Sequence, residues 1–330
     1  MIVDTNLPQK GGSGENKLNQ LATKTITTVT AKDLEGATTI PQYLFYKVTS
    51  LQSVDMSDSV ESIGDYAFQY CSGLKTINLK NVKSIGNYAF KICTGLTAMD
   101  LSNVESIGNQ AFMQCDNLEG NSGYLDLSSV TSIGTATFKG LKKIISIDLN
   151  NCVSVSNEVF GGCTGLTTID LSNSTTLGNS VFYGCSNLQN VISPNLTTVG
   201  ENCFYNCKKL VNIDFSNITT INQYGFRDCD SLTEVDLSKV TTLCSYAFYG
   251  CNVLEKVLIG ENVTKIELQS FYVCPKLTEV TIKAITPPTL GTNVFPSNVT
   301  TIYIPIGTLD AYSTATNWSS LASKFVEKDM

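Results

Sequence analysis

The stretch Ser62-Ile63-Gly64-Asp65-Tyr66-Ala67-Phe68 returns as Ser84-Ile85-Gly86-Asn87-Tyr88-Ala89-Phe90 and again as Ser106-Ile107-Gly108-Asn109-Gln110-Ala111-Phe112. Working outward, the phenylalanine recurs at positions 45, 68, 90, 112, 138, 160, 182, 204, 226, 248 and 271, in steps of 22 or 23 residues with a single step of 26. Three residues later stands a cysteine in nine of these units: Cys71, Cys93, Cys115, Cys163, Cys185, Cys207, Cys229, Cys251 and Cys274. The two exceptions, Val48 and Leu141, are apolar too. Self-similarity at this period marks a solenoid, in which each unit buries its apolar face only against its neighbours.

Each unit continues Leu-x-x-Ile-x-Leu, as in Leu74, Ile77, Leu79 and Leu166, Ile169, Leu171. The alternation in the last part predicts a short strand with one buried face. Stacked units lay such strands side by side in parallel, roughly 4.8 Å apart, so that about eleven coils make a rod roughly 50 Å long. An Asn in Ser102-Asn103-Val104 or Ser216-Asn217-Ile218 suits the tight turn off the sheet. Ile63, Ala67, Phe68, Cys71 and Leu74 have the spacing of one face of a helical or 3₁₀ turn, which places short helical segments on the return side. Ser193 replaces the last strand leucine in the unit of Phe182.

These Ser-Ile-Gly-x-x-Ala-Phe-x-x-Cys-x-x-Leu-x-x-Ile-x-Leu runs, over about Thr38 to Lys283, resemble the BspA-like leucine-rich repeats of bacterial surface proteins and some protozoan parasites. Ile302-Tyr303-Ile304-Pro305-Ile306-Gly307, with Ala311-Tyr312 and Trp318, is similar to the C-terminal end common in that class. The resemblance implies an α/β solenoid: a right-handed leucine-rich-repeat coil with a parallel sheet on one face, short helical or 3₁₀ segments on the other, and caps at both ends. Residues 1–20, with Gly11-Gly12-Ser13-Gly14, read as a flexible arm, 21–37 as an N-terminal cap, 38–284 as the solenoid and 285–330 as a C-terminal cap. The Thr/Val/Ile run from about Thr25 to Thr30 is expected to supply the first strand. A strand near Thr301–Ile304 and a helix after Thr308, capped by that hydroxyl, are expected at the other end.

Composition narrows the function classes. The chain of 330 residues carries a net charge of −7, which disfavours nucleic-acid binding. It has no histidine, which excludes Ser–His–Asp and Cys–His catalysis and imidazole-dependent zinc sites. No apolar run approaches the roughly 20 residues of a membrane span, so no membrane insertion is expected. Met1-Ile2-Val3-Asp4 starts no signal peptide. The protein is therefore expected to be secreted or at the cell surface if an export signal has been removed, and otherwise virion-associated or cytoplasmic.

Three columns of the repeat are weighed for function. The cysteine column reads as a reduced, buried ladder beside the Phe and Leu columns, without metal, while Cys152, Cys203 and Cys244 fall off it. Between the strand apolars an acidic column, Asp100, Asp126, Asp148, Asp170, Asp214 and Asp236, points outward, either as a solvated polar face or as a groove for cations or a basic partner. One residue after the repeat Phe, Tyr183, Tyr205, Arg227, Tyr249 and Tyr272 form an aromatic line with one guanidinium, which fits either partner binding or mutual stacking. The 26-residue step inserts Glu119-Gly120-Asn121-Ser122-Gly123-Tyr124 as a loop on the sheet rim, and Asn195, Asn217, Asn262 and Asn298 lie in glycosylation triplets expected by chance in so Asn- and Thr-rich a repeat.

The missing histidine, the missing phosphate-cradling glycine loop and the repetition itself lead to the expectation of a non-enzymatic, monomeric protein without cofactors that presents a repeat surface to a protein or glycan, and the family resemblance implies adhesion. A prophage virion or tail-associated recognition protein, which needs no export signal, is the alternative, and a structural spacer a third.

Overall fold

The computed structural model describes residues 26–330. The arm expected at 1–20 and the first part of the expected cap lie outside the described residues. From Thr28 onward the chain is a parallel-strand solenoid in which each coil contributes to two columns of strands. The first column is the one the Ile-x-Leu alternation predicts. In Ser146–Asp148, paired with Tyr124–Asp126 on one side and Thr168–Asp170 on the other, Ile147 points in and its neighbours out. The second column is built from two-residue strands such as Ser62–Ile63, Ser84–Ile85 and Ser106–Ile107, each with its Ile buried. Like residues therefore pair with like along the rod.

The return side corrects the expectation of helical segments there. Ala67-Phe68-x-x-Cys71 and its counterparts form consecutive tight turns: Gln69 N donates to Tyr66 O at 3.1 Å and Cys71 N to Phe68 O at 3.0 Å. The residue two before the Phe and the residue two after it have positive φ, as at Tyr66 (58°) and Tyr70 (65°). Left-handed residues two before and two after each Phe cannot sit within a helix. It instead aims alternate N–H groups along the rod, so that Tyr66 N, Phe68 N and Tyr70 N reach Asn87 O, Ala89 O and Lys91 O of the next coil at 2.8–2.9 Å. Backbone polar groups are thus paired coil to coil on the turn side as well as in the sheets, as burial demands. Among the described residues helix is confined to Leu309–Thr314 and the 3₁₀ segment Ser319–Lys324.

The core is a set of rows. The Phe rings stack face to face from Phe45 to Phe271 and on to Phe295, with centroids 5.0–5.9 Å apart. The stack thus runs past the Pro287-Pro288 break, and Thr289–Leu290 continues the second column beside Lys265–Ile266. Tyr312 and Trp318 lie fully buried over the last ring, with the Tyr312 hydroxyl donating to Ala284 O and the Trp318 indole N–H to Pro288 O, both at 2.7 Å. Thr308 does not cap the helix as expected. Its hydroxyl donates to Pro305 O at 2.7 Å, and Glu327 Oε1 accepts the Gly307 and Leu309 amides instead, at 2.8 and 3.0 Å. The strand Thr301–Pro305 brings Glu327 there by pairing with Phe325–Lys328.

Ser193 occupies a position held by Leu127, Leu149 and Leu171 in other coils. It is 2% exposed and its hydroxyl has no hydrogen-bond partner. An unpaired buried hydroxyl costs about 1–3 kcal/mol. Ser193→Ala is accordingly expected to stabilise the protein by about 1 kcal/mol. A urea midpoint that stays put or falls would contradict it.

Candidate functional site

The residue after each repeat Phe lies on the turn side, where the Phe points in and its neighbour out. Coil stacking places Tyr183 edge-on to Tyr205, with centroids 5.2 Å apart. The Arg227 guanidinium carbon lies 5.1 Å from the Tyr205 ring centre and 4.8 Å from that of Tyr249, held between the neighbours above and below. Tyr249 in turn meets Tyr272 at 6.3 Å. All five residues singled out in the sequence therefore adjoin one another in one strip. Tyr183 is 46% exposed and the other four are half-buried.

Two further tyrosines complete the strip, and neither follows a Phe. Tyr224 lies 5.4 Å from the Arg227 guanidinium and stacks on Tyr246 at 5.0 Å, and Tyr246 leans on Tyr249 at 5.8 Å. Both occupy the left-handed position two residues before the Phe. Arg227 is therefore enclosed by three rings, each contact of a kind that contributes about 0.5–2 kcal/mol according to its desolvation. Its Nε is buried without a hydrogen bond. Asp228 Oδ2 stands 3.4 Å from it, an ion-pair distance without hydrogen-bond alignment. Partial burial raises the Asp228 carboxyl above its ordinary value against the opposing pull of Arg227. Asp228 also crowds its neighbour: an added Cβ on Gly250 (φ +74°) would meet Oδ1, so a larger residue there would push the carboxylate aside.

The family model for the BspA type leucine rich repeat region (6 copies) matches residues 22–122, 121–233 and 219–323. The chain belongs to the BspA-type leucine-rich-repeat family. It is similar to a leucine-rich repeat protein from Bacteroides ovatus, with 21% identity over 81% of this chain and 87% of the other and a TM-score of 0.38. Similarity extends to a leucine rich cell surface protein from Faecalibacterium prausnitzii (23% identity, 85% and 86% of the two chains, TM-score 0.45). The pneumococcal vaccine antigen PcpA is 19% identical over 85% of this chain and 76% of its own, with a TM-score of 0.44. No curated protein matches.

Within this BspA-type solenoid a second aromatic group lies on the first coils. Tyr43, Tyr66 and Tyr88 stack at 4.7 and 4.8 Å, Tyr46 meets Tyr70 edge-on at 5.9 Å, and the Lys47 ammonium lies 5.0 and 5.6 Å from the last two rings. The sequence signal for it was the recurrence of Tyr two residues before Phe, at 43, 66, 88, 224 and 246.

The acidic column has structural work. Asp126, Asp148 and Asp170 stand in register, whereas Asp100 and Asp214 fall just outside strands and Asp236 pairs with Leu258. In every case Oδ1 accepts the backbone N–H two residues on, at 2.8–3.2 Å: Ser102, Ser128, Asn150, Ser172, Ser216 and Ser238. The carboxylate thereby turns the chain off the sheet, the role of Asp in an Asx turn. Among the described residues no group of three or more His, Cys, Asp or Glu side chains could hold a metal ion. From the insertion, Tyr124 leans over this column, and loss of solvent followed by Asp126 and Asp148 raises its hydroxyl above its ordinary value. The amides of Asn195, Asn217 and Asn298 each donate to a backbone carbonyl of the preceding coil, which engages the nitrogens that glycosylation would need.

The nine column cysteines are unpaired and buried. Each donates its S–H to the carbonyl of the Phe one coil back, as Cys93 to Phe68 at 3.0 Å and Cys185 to Phe160 at 3.1 Å. In the coils of Phe68 and Phe160, as in most others, that carbonyl already accepts one turn N–H, so the thiol fills its second lone pair. A small apolar side chain with one weak donor is what the position requires. Cys152 and Cys203 are buried as well, and Cys244 alone is partly exposed.

Proposed function

We propose that this chain is a non-catalytic recognition protein that engages a protein or glycan partner through the turn-side strip Tyr183, Tyr205, Arg227, Tyr249 and Tyr272, in a secreted or cell-surface adhesion role. The observation that carries the reading is the Arg227 guanidinium held among Tyr205, Tyr224 and Tyr249, none of them fully buried. Clustered tyrosines and arginine dominate recognition energetics and are unusual on a purely solvated face. The absence of histidine from the chain favours binding over acid–base chemistry. No helix of the described residues is long and apolar enough to cross a membrane. Membership of the BspA-type family favours binding as well, since a solenoid offers extended area rather than a single reactive point.

The test is a binding screen of the intact chain against glycans and extracellular-matrix proteins, repeated with Tyr205→Ser combined with Tyr249→Ser. The double variant is expected to keep its far-ultraviolet circular dichroism spectrum and to weaken binding at least tenfold. Equal affinity of the two proteins would discard the strip as the binding surface.

A further inference from the structure

The chain holds 22 cationic side chains, and only one of them, Arg227, is an arginine. This lone guanidinium is the group placed among Tyr205, Tyr224 and Tyr249. Two features of its setting specify what it can bind. Its Nε edge is turned inward, buried and without a hydrogen bond, beside Asp228. No aligned hydrogen bond holds the Arg227 Nε among the described residues, its carboxylate contact being the 3.4 Å approach of Asp228 Oδ2, and the side chain keeps 31% of its surface exposed. Rings crowd the guanidinium and Nε faces the protein, so the two Nη nitrogens are left as the outward, unoccupied donors. Such a pre-ordered planar pair matches the two oxygens of a carboxylate, a match that a lysine ammonium does not reproduce.

The surroundings select among carboxylate ligands. The strip on either side of Arg227 is aromatic and uncharged: Tyr183 and Tyr205 on one side, Tyr249 and Tyr272 on the other. Around Asp228 the charges of Arg227, Asp230 and Lys208 leave the site close to neutral. A neutral aromatic strip with one fork suits a ligand that carries a single carboxylate among otherwise uncharged ring surfaces. An acidic peptide tract, with charge at many positions, would meet Asp228 and Asp230 as well as Arg227. We infer that the Arg227 strip binds a sugar acid, a pyranose whose carboxylate is received by the two Nη groups while its ring packs on the flanking tyrosines. This inference rests on the recognition role proposed above and names the ligand class for the same strip.

Because Arg227 is the sole arginine, its Nε–Hε group gives one side-chain signal in a nitrogen-15 spectrum of the unmodified protein. Titration with 3′-sialyllactose and, separately, with a glucuronate-containing hyaluronan tetrasaccharide is expected to shift that signal with at least one of the two, which tells a sialic acid from a uronate. Lactose, without a carboxylate, is expected to leave it in place. Arg227→Lys, which keeps the charge and loses the fork, is expected to bind the same acidic sugar at least tenfold more weakly. No shift with either acidic sugar, an equal shift with lactose, or a shift only with a glutamate-rich peptide would overturn the inference. If the Tyr205→Ser, Tyr249→Ser protein loses a partner that Arg227→Lys still binds normally, the strip stands and the sugar acid falls. If neither variant changes binding of any partner, both fall.

Discussion

Treated with an aromatic disulfide reagent at pH 8, the folded chain is expected to release close to one equivalent of its twelve thiols, that of Cys244, and the other eleven only after denaturation. The nucleophile in such exchange is the thiolate. Burial pushes the thiols of Cys71, Cys115, Cys163, Cys203 and Cys274 from 9.0 to about 12, and those of Cys93, Cys185, Cys207, Cys229 and Cys251 well above 9.0. A rise of that size lowers the thiolate fraction about a thousandfold, before the reagent's lack of access is counted. Cys152 is raised as well, again through burial. Cys244, raised by partial burial and then by Glu267, is the one the reagent can reach, and it should react slowly. The same shifts have a consequence for stability. A folded-state value above the unfolded one means that folding favours the protonated thiol, so the stabilisation is complete below pH 9 and is lost as pH climbs toward 12. At pH 10 each of the five thiols raised to about 12 favours the unfolded chain by about 1.4 kcal/mol, and together they remove about 7 kcal/mol, comparable to the 5–15 kcal/mol that ordinarily holds a domain. Unfolding as pH climbs from about 9 toward 12, followed by circular dichroism, is the expected result. Several thiols reacting rapidly at pH 8, or a fold intact at pH 12, would contradict it.

The rows behind that prediction were legible in the sequence because a solenoid turns equal spacing into equal position. Phe, Cys and Leu separated by 22 residues can bury themselves only in columns once the coils are in register. The return side was not legible, since Ile63, Ala67, Phe68 and Cys71 have a spacing that both a helical turn and a pair of tight turns produce. What separates the two is φ. Gly140, Gly162, Gly184 and Gly250 recur two residues after the Phe, each with positive φ, and they mark a left-handed position that a helix lacks. The aromatic strip was half legible for a related reason. Spacing shows which residues share a column, as Tyr205 and Tyr249 do, but which columns touch depends on the path within a coil. Tyr224 reaches Arg227 only because the first turn folds the position before the Phe back beside the position after it.

Phe204→Ala is expected to divide the rod energetically. The Phe204 ring is fully buried between Phe182 at 5.3 Å and Phe226 at 5.1 Å. Truncating a buried Phe costs about 3–5 kcal/mol, because the surrounding side chains close only part of the cavity. The stack adds to this, since each lost ring–ring contact forfeits about 0.5–1.5 kcal/mol beyond the buried area. In a globule that loss would lower one midpoint. Here each coil touches only its neighbours, so the loss falls on the coupling between the coils before residue 204 and those after it. Thermal unfolding followed by calorimetry is therefore expected to change from a single transition to two, with the C-terminal half, closed by Tyr312 and Trp318, as the natural candidate for the upper one. Phe45→Ala at the first coil provides the control, since it removes a ring with one stacked neighbour, Phe68, and leaves the rest of the row coupled. A single transition for Phe204→Ala, displaced no further than that of Phe45→Ala, would mean that stability is not transmitted along the row of rings.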